Sequence, residues 1–445
     1  MKSTFCFCCT SVFIAGLSAS PLFADDASEV GYVWPQWRGA HQNGVAGSSD
    51  IASAKSWNVD DPVWAVDIPG LGGSTPVVAS GRAFLTSGVD GNNTLRALDV
   101  NTGTTVWTME LGGDRGNKHR KGSGSNPSAV TDGEYVAAYY RSGDLASLTV
   151  DGSLAWRINL QEEFGEDTLW WDLGSSPALI DGMVVVAVMQ TGPSYLVAYD
   201  LATGQLRWKV DRMLDAPKEA AQSYTTPIGV TVNGESMIAV MGADHLTLHR
   251  AVDGQELGRV DGFNPDGEEY FRSISSPVAS DSSHGPPMAI CPYARGSTLT
   301  AVNLELLAAG KTDAAVIWSR DDLGSDVPTP AIHDDVVVLV SDGKRDKGSV
   351  YGLSLHSGET LWKTQLPRTR NSYSSSPLLM GSTAVVIGED ARISLVGPLD
   401  ATPAVIRTME MSDRDPFTVA SPVPLPGGDL LIRTRHQLTR LTASN

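Results

Sequence analysis

The chain is poor in cysteine. Of its four cysteines, Cys6, Cys8 and Cys9 precede a predicted signal-peptide cleavage site after Ala24, so Cys291 alone would remain after cleavage. One cysteine excludes a disulfide within the mature chain, and no Cys-x-x-Cys-His haem-attachment motif is present. Cys291 is predicted to be a small apolar residue at the end of a strand, because no neighbouring motif supplies a base.

Long apolar runs are also scarce. Residues 1–24 carry Lys2, an apolar stretch over residues 12–17 and small residues before Asp25, which is the pattern of a cleaved secretory signal peptide. No later stretch reaches the roughly 18 to 20 apolar residues that span a bilayer. The sequence therefore predicts a periplasmic or secreted protein with no transmembrane segment, and with no lipid anchor because no cysteine directly follows the cut.

Positive charge is in short supply. The chain has 33 Lys and Arg against 51 Asp and Glu, giving a formal net charge of −18. A field of this sign repels phosphate backbones, so nucleic acid is not expected as a partner. Because an acidic surface is also common among exported proteins, no ligand is predicted from net charge.

Familiar catalytic motifs are missing. There is no Gly-x-Ser-x-Gly elbow, no His-Glu-x-x-His, no phosphate-binding loop and no EF-hand. Four of the eight histidines lie near turns or short strands without ligand spacing: His119, His245, His249 and His436. We therefore predict no catalytic residue and no metal ligand.

What the chain has is a repeat of about 50 residues. A short polar segment followed by proline recurs eight times, with steps of 45 to 53 residues between the prolines, at Pro76, Pro127, Pro177, Pro227, Pro277, Pro330, Pro377 and Pro422. A fixed period of this length is typical of propellers and solenoids. Proline fits the first position of a strand, which accounts for the element structurally.

Each repeat has the content of one propeller blade. Three short β-rich runs follow the proline, the third ends in an Asp-x-x-Thr-Gly turn such as 99–103, and a fourth run carries a tryptophan such as Trp107. Gly258 and Arg407 replace that tryptophan in the fourth and seventh repeats, so these two blades are predicted to dock less firmly.

The ends of the chain predict a closed ring. The eighth repeat stops without its fourth strand, while Pro62–Asp67 supplies a tryptophan-bearing strand before the first repeat. The predicted fold is all-β, an eight-bladed β-propeller of four-stranded antiparallel blades in which the N-terminal strand closes the last blade. The predicted domains are a signal peptide (1–24), an N-terminal extension (25–61) and the propeller (62–445).

These repeats resemble those of the pyrroloquinoline quinone (PQQ)-type propeller family. The resemblance rests on the Ala-x-Asp-x-x-Thr-Gly-x-x-x-Trp endings at 97–107 and 198–208, with degenerate copies over 62–445, and on Trp-Pro-Gln-Trp-Arg-Gly at 34–39. It implies either a quinoprotein dehydrogenase, which holds PQQ and calcium, or a propeller like the subunit of the outer-membrane barrel-assembly machinery, which binds protein partners and catalyses nothing.

The missing cysteine pair, which alcohol-oxidising relatives place over the quinone, favours the second branch. The leading hypothesis is a non-catalytic exported scaffold, expected to be monomeric, that binds a protein partner or a small anionic ligand without a cofactor. The alternative is a PQQ-dependent oxidoreductase with calcium. Glycan binding by Trp170 and Trp171 is a third hypothesis.

The loops before the prolines are predicted to ring one mouth of the central channel, where binding residues collect. The candidate ligand-binding residues are Arg120, Trp171, Asp172, Tyr224, Arg272, Arg370, Tyr373 and Arg414. The arginines would supply charge-assisted hydrogen bonds and the aromatic rings flat walls. Alternatively, the arginines form ion pairs with aspartates of neighbouring loops, namely Asp172, Asp326, Asp413 and Asp415.

Overall fold

A computed structural model describes residues 1, 31, 33–47, 56–283, 285–413 and 415–444. The predicted signal peptide with its cleavage site after Ala24 lies outside the described residues, apart from residue 1. The described chain forms eight four-stranded antiparallel sheets and one two-stranded sheet. This confirms the predicted eight-bladed β-propeller.

The strands follow the predicted repeat closely. Two strands precede the first blade: β1 (Ser56–Trp57) and β2 (Trp64–Asp67). Blade 1 contains β3 (Val77–Ala79), β4 (Arg82–Val89), β5 (Asn92–Asp99) and β6 (Thr105–Gly113). Blade 2 contains β7 (Val130–Thr131), β8 (Tyr135–Tyr139), β9 (Asp144–Thr149) and β10 (Leu154–Asn159). Blade 3 contains β11 (Ala178–Ile180), β12 (Met183–Val188), β13 (Tyr195–Asp200) and β14 (Leu206–Asp211). Blade 4 contains β15 (Ile228–Val232), β16 (Glu235–Gly242), β17 (His245–Arg250) and β18 (Glu256–Val260).

The second half of the ring repeats this plan. Blade 5 contains β19 (Val278–Ala279), β20 (Met288–Tyr293), β21 (Thr298–Asn303) and β22 (Val316–Arg320). Blade 6 contains β23 (Ala331–His333), β24 (Val336–Val340), β25 (Ser349–Ser354) and β26 (Thr360–Gln365). Blade 7 contains β27 (Leu378–Met380), β28 (Thr383–Ile387), β29 (Ile393–Gly397) and β30 (Ala404–Met409). Blade 8 contains β31 (Val423–Pro424), β32 (Leu430–Arg433), β33 (Gln437–Leu441) and the N-terminal β2, and β34 (Ala443–Ser444) follows it.

The helices of the described chain are short. Three are α-helical: α1 (Leu160–Phe164), α2 (Leu304–Ala308) and α3 (Thr312–Ala315). Three are 3₁₀ turns: Lys218–Ala221, Ala294–Gly296 and Pro426–Gly428. Within the described part of the chain, no helix is both long enough and apolar enough to cross a membrane.

The two ends of the chain meet in blade 8, as predicted. The N-terminal strand β2 pairs antiparallel with β33, with Trp64 opposite Arg440 and Asp67 opposite Gln437. A second pairing joins β1 to β34, with Trp57 opposite Ala443. Because β2 supplies the fourth strand of the last blade, the ring closes without an open edge between its first and last blades.

Tryptophans of the outermost strands connect neighbouring blades. The indole N–H of Trp208 in β14 donates to the carbonyl oxygen of Ala251 in blade 4, 2.8 Å away. A Cβ atom at Gly254 would lie 2.6 Å from this indole ring, and Gly254 has a φ of +73°. The glycine of this turn, which follows threonine in blades 1 and 3 and aspartate in blade 4, is thus explained, because glycine alone leaves room for the ring. The same contact recurs at Trp64, Trp107, Trp156 and Trp318.

Other groups occupy the two positions without this tryptophan. A Cβ atom at Gly258 would lie 2.5 Å from the Leu307 carbonyl oxygen, because α2 of blade 5 packs there. Next to blade 7, the backbone N–H of Trp57 in β1 donates to the Met409 sulfur of β30 at 3.5 Å, and its indole N–H donates to the Gly428 carbonyl oxygen in blade 8 at 2.8 Å. Weaker docking of these blades stays a prediction.

Candidate functional site

A cavity of about 660 Å³ lies at the centre of the ring. Residues of the loops between blades and of the starts of the inner strands line it. Six of the eight predicted site residues are among them: Arg120, Trp171, Asp172, Tyr224, Arg272 and Tyr373. Arg370 does not line the cavity and is exposed, and Arg414 lies outside the described residues. Ligand binding by these residues stays a prediction.

A closed belt of eight hydroxyl groups surrounds the cavity. In every blade the backbone N–H of one serine or threonine donates to the side-chain hydroxyl of the equivalent residue in the next blade over 2.9 to 3.2 Å. The bond from Ser421 in blade 8 to Thr75 in blade 1 closes the circle. We call these residues the hydroxyl belt: Thr75, Ser128, Ser176, Thr226, Ser276, Thr329, Ser376 and Ser421. Seven of them directly precede a proline of the repeat. In blade 2 the belt residue is Ser128, which follows Pro127, so the sequence repeat is displaced there by two residues.

The N-terminal motif closes the channel below the belt. Residues 33–47, which we call the plug, run past the inner strands one blade after another. Trp34 exchanges two backbone hydrogen bonds with Val78 of blade 1, and the Pro35 carbonyl accepts from Thr131 of blade 2. The side chain of Gln36 accepts from Leu179 of blade 3 over 2.8 Å.

The plug continues to the far side of the ring. Gln42 bonds to Pro227 and Gly229 of blade 4 through both atoms of its side-chain amide. Gly44 and Ala46 bond to Leu379 of blade 7. The Trp-Pro-Gln-Trp-Arg-Gly segment, whose role the sequence left open, therefore seals the channel beyond the cavity.

Arg38 fixes the plug to blade 6. Its guanidinium is 2% exposed and donates to the carbonyl oxygens of Thr329 at 2.8 Å, Asn43 at 2.9 Å and Gln42 at 3.2 Å, and also to that of Pro330. Burial lowers the pKa of Arg38 to about 9. The guanidinium lies 5.6 Å from the centre of the Trp37 ring, and Trp37 lines the cavity. The cavity is thus a blind funnel with Trp37 at its floor.

Acidic and basic side chains in the funnel are equal in number. Four cationic side chains line it, Arg120, Lys121, Arg272 and Arg295, and so do four carboxylates, Asp172, Glu219, Asp326 and Asp342. Arg272 forms a bidentate pair with Asp326 over 3.0 Å, as the ion-pair alternative predicted. The guanidinium groups of Arg120 and Arg295 form no hydrogen bond or ion pair with a residue that the structure describes.

The loops between the second and third strands of blades 5 and 6 also reach the cavity, where they contribute Arg295 and Asp342. The Asp342 carboxylate accepts the backbone N–H groups of Asp326 at 2.8 Å and Val327 at 3.0 Å. Burial raises the pKa of Asp342 to about 7, although these hydrogen bonds oppose the increase. Because strands alternate in direction within a blade, these loops open on the same face as the loops before the prolines. This topological rule could have predicted that Arg295 and Asp342 lie near the cavity.

Two exposed aromatic residues stand beside the cavity. Trp170 and Tyr270 are 45% and 48% exposed, and neither lines the funnel. The 3₁₀ turn Lys218–Ala221 lies between them: its Glu219 accepts the indole N–H of Trp171 over 2.7 Å, and the Lys218 ammonium is 5.8 Å from the Tyr270 ring. We call Trp170 and Tyr270 the aromatic rim.

The sequence matches a model of the family described as "Outer membrane protein assembly factor BamB". The matches cover residues 57–220, 150–282 and 244–402, which together exceed half of the chain. The chain belongs to this family. A BamB-family relative, the outer membrane protein assembly factor BamB of Burkholderia pseudomallei (strain K96243), is 25% identical over 369 residues, which are 74% of this chain and 86% of the relative.

Solved structures share the fold. BamB from Moraxella catarrhalis aligns with a TM-score of 0.53 at 11% identity, over 87% of this chain and 100% of that one. Quinohemoprotein alcohol dehydrogenase from Comamonas testosteroni aligns with a TM-score of 0.66, also at 11% identity, over 92% of this chain and 80% of that one. At such identities the likeness extends to the propeller alone, and the dehydrogenase alternative is not favoured.

The donor set of the funnel fits calcium poorly. Among the described residues, no group of three or more His, Cys, Asp or Glu side chains is arranged to hold a metal ion. Asp326 is engaged by Arg272, and Asp342 by two backbone N–H groups. Calcium prefers six to eight oxygen ligands. The quinone and calcium pair of the alternative hypothesis is therefore not supported by these residues.

Proposed function

We propose that this BamB-family protein is a non-catalytic, exported propeller that binds a protein partner through the face on which the funnel opens, and that the partner belongs to outer membrane protein assembly. The observation that carries the proposal is the aromatic rim, Trp170 and Tyr270, on a rigid ring of this family. Export rests on the predicted signal peptide over residues 1–24.

Aromatic side chains are enriched at protein interfaces, because they bury a large area at a low cost in side-chain entropy. Trp170 is also held in place, since its backbone N–H donates to the side chain of Gln222 over 2.8 Å. The salt bridge between Lys218 and Glu269 ties the turn to the loop of Tyr270. A partner would therefore meet a surface that is already ordered.

A protein partner fits this face better than the small anionic ligand that the sequence also predicted. Cationic and carboxylate groups in the funnel are equal in number, and Arg272 is occupied by Asp326. A small anion would gain little attraction from such a site within a protein of net charge −18.

Photo-cross-linking in cells tests the proposal. The variant Trp170→p-benzoylphenylalanine places a reactive group on the rim, and Val252→p-benzoylphenylalanine places it in the turn between the third and fourth strands of blade 4, on the opposite face. Val252 is the matched control because it is exposed as well.

We expect the rim variant to form an adduct with a component of the outer membrane protein assembly machinery, identified by mass spectrometry, and the control to form none. No such adduct from Trp170, or the same adduct from both positions, would refute the proposal.

A further inference from the structure

The hydroxyl belt leaves hydrogen-bonding capacity directed at the cavity. Every belt hydroxyl accepts one backbone N–H, and none donates its own hydrogen to another residue in the described part of the chain. All eight side chains are more than nine-tenths buried and line the cavity. A hydroxyl has one donor and two acceptor sites, so each belt residue retains one of each.

Ionisable groups of both kinds, in equal number, add donors and acceptors to the lining. Arg120 and Arg295 present guanidinium groups that are unpaired among the described residues, while Asp172, Glu219 and Asp342 line the same wall. Such a lining offers strong hydrogen bonds to a neutral ligand that has many polar groups.

Aromatic rings form the apolar part of the same funnel. Trp37 lies at the floor, and Trp171, Tyr224 and Tyr373 stand on the wall. Trp171 is 43% exposed. The volume of about 660 Å³ lies within the range of small-ligand sites, which is about 300 to 1,000 Å³.

We propose that the funnel binds the end of a neutral carbohydrate chain. Sugar hydroxyls both donate and accept, which matches the belt, and the apolar faces of pyranose rings match the aromatic floor and wall. Because the plug closes the funnel at its floor, the carbohydrate would enter it with one of its ends. This site is distinct from the aromatic rim, so it stands independently of the proposed protein partner.

Isothermal titration of the purified full chain tests the proposal with four probes: cellohexaose, maltohexaose, laminarihexaose and chitohexaose. PQQ with calcium, and citrate, serve as anionic probes. Two matched pairs of variants place the site: Trp171→Ala against Trp170→Ala, and Arg295→Ala against Arg370→Ala. In each pair the first residue lines the funnel and the second is an exposed residue outside it.

We expect saturable heat with at least one hexasaccharide, an affinity about tenfold lower in Trp171→Ala and Arg295→Ala, and a change of less than about twofold in the two controls. No heat with any hexasaccharide at millimolar concentration would overturn the proposal. So would equal losses within a pair, or binding of the anionic probes alone. The cross-linking result from Trp170 is read separately, so failure of one proposal does not imply failure of the other.

Discussion

The contribution of the indole hydrogen bond between blades to the free energy of unfolding can be measured with a matched pair of substitutions. Trp208 and Trp362 occupy the same place in the outer strands of blades 3 and 6, and both are 8% exposed. Trp208 donates to the Ala251 carbonyl, whereas the buried indole nitrogen of Trp362 has no partner among the described residues. The backbone N–H of Leu399 in blade 7 donates to Ser382 as that of Leu355 donates to Asp335 in blade 6, which places Ala401 and Thr402, not a glycine turn, opposite Trp362.

Replacing either tryptophan by phenylalanine removes a similar ring area and leaves a similar gap. Only Trp208→Phe also leaves a buried carbonyl without its donor, which costs about 1–3 kcal/mol, while Trp362→Phe removes an unsatisfied N–H. We expect Trp208→Phe to lower the free energy of unfolding by about 1–3 kcal/mol more than Trp362→Phe does. Urea unfolding followed by far-UV circular dichroism measures this difference. Equal losses, or a larger loss in Trp362→Phe, would refute the reasoning.

Two further predictions concern the plug and the funnel. Arg38→Ala leaves the Thr329 and Pro330 carbonyl oxygens without this donor and should lower the free energy of unfolding by about 2–6 kcal/mol. A protease should then cleave within residues 33–47 under native conditions, whereas the control variant Arg295→Ala should resist cleavage there. Continued protection of the plug would contradict this. The pKa of Asp342 is raised, so the folded state holds a proton that the unfolded state loses above about pH 4. The free energy of unfolding should fall by up to about 4 kcal/mol between pH 4 and pH 8, and the fall should be smaller in Asp342→Asn; equal pH profiles in denaturant titrations would contradict it.

The blades were predictable because their signals are local. Proline recurs in every repeat, tryptophan and a glycine turn recur in most of them, and the spare tryptophan strand at Trp64 indicated the closure. The repeat proline is displaced in blade 2, where Pro127 lies two residues before the position that the other prolines occupy. The hydrogen bond from Thr75 to Ser128 shows that Ser128 is the belt residue of this blade. The role of Gly258 depends on α2, an insertion that no repeat pattern contains.

The candidate site was only partly predictable. The loops before the prolines pointed to six residues of the cavity wall, since topology places those loops on one face. Trp37 at the floor was not predicted, because it depends on contacts such as that between Arg38 and Thr329, which are 291 residues apart. Arg295 and Asp342 were missed because their loops carry no motif.

The plug and β2 make the first part of the described chain a partner of almost every blade. In an open array of repeats, each unit contacts only its neighbours, and units can be removed or added one by one. Here the plug and β2 pair with Leu379 and Arg440, which are synthesised much later than either segment. Native contacts of such long range make folding slow. We therefore expect that deleting or adding a single blade would prevent the ring from closing, because the plug and β2 would no longer meet all of their partners.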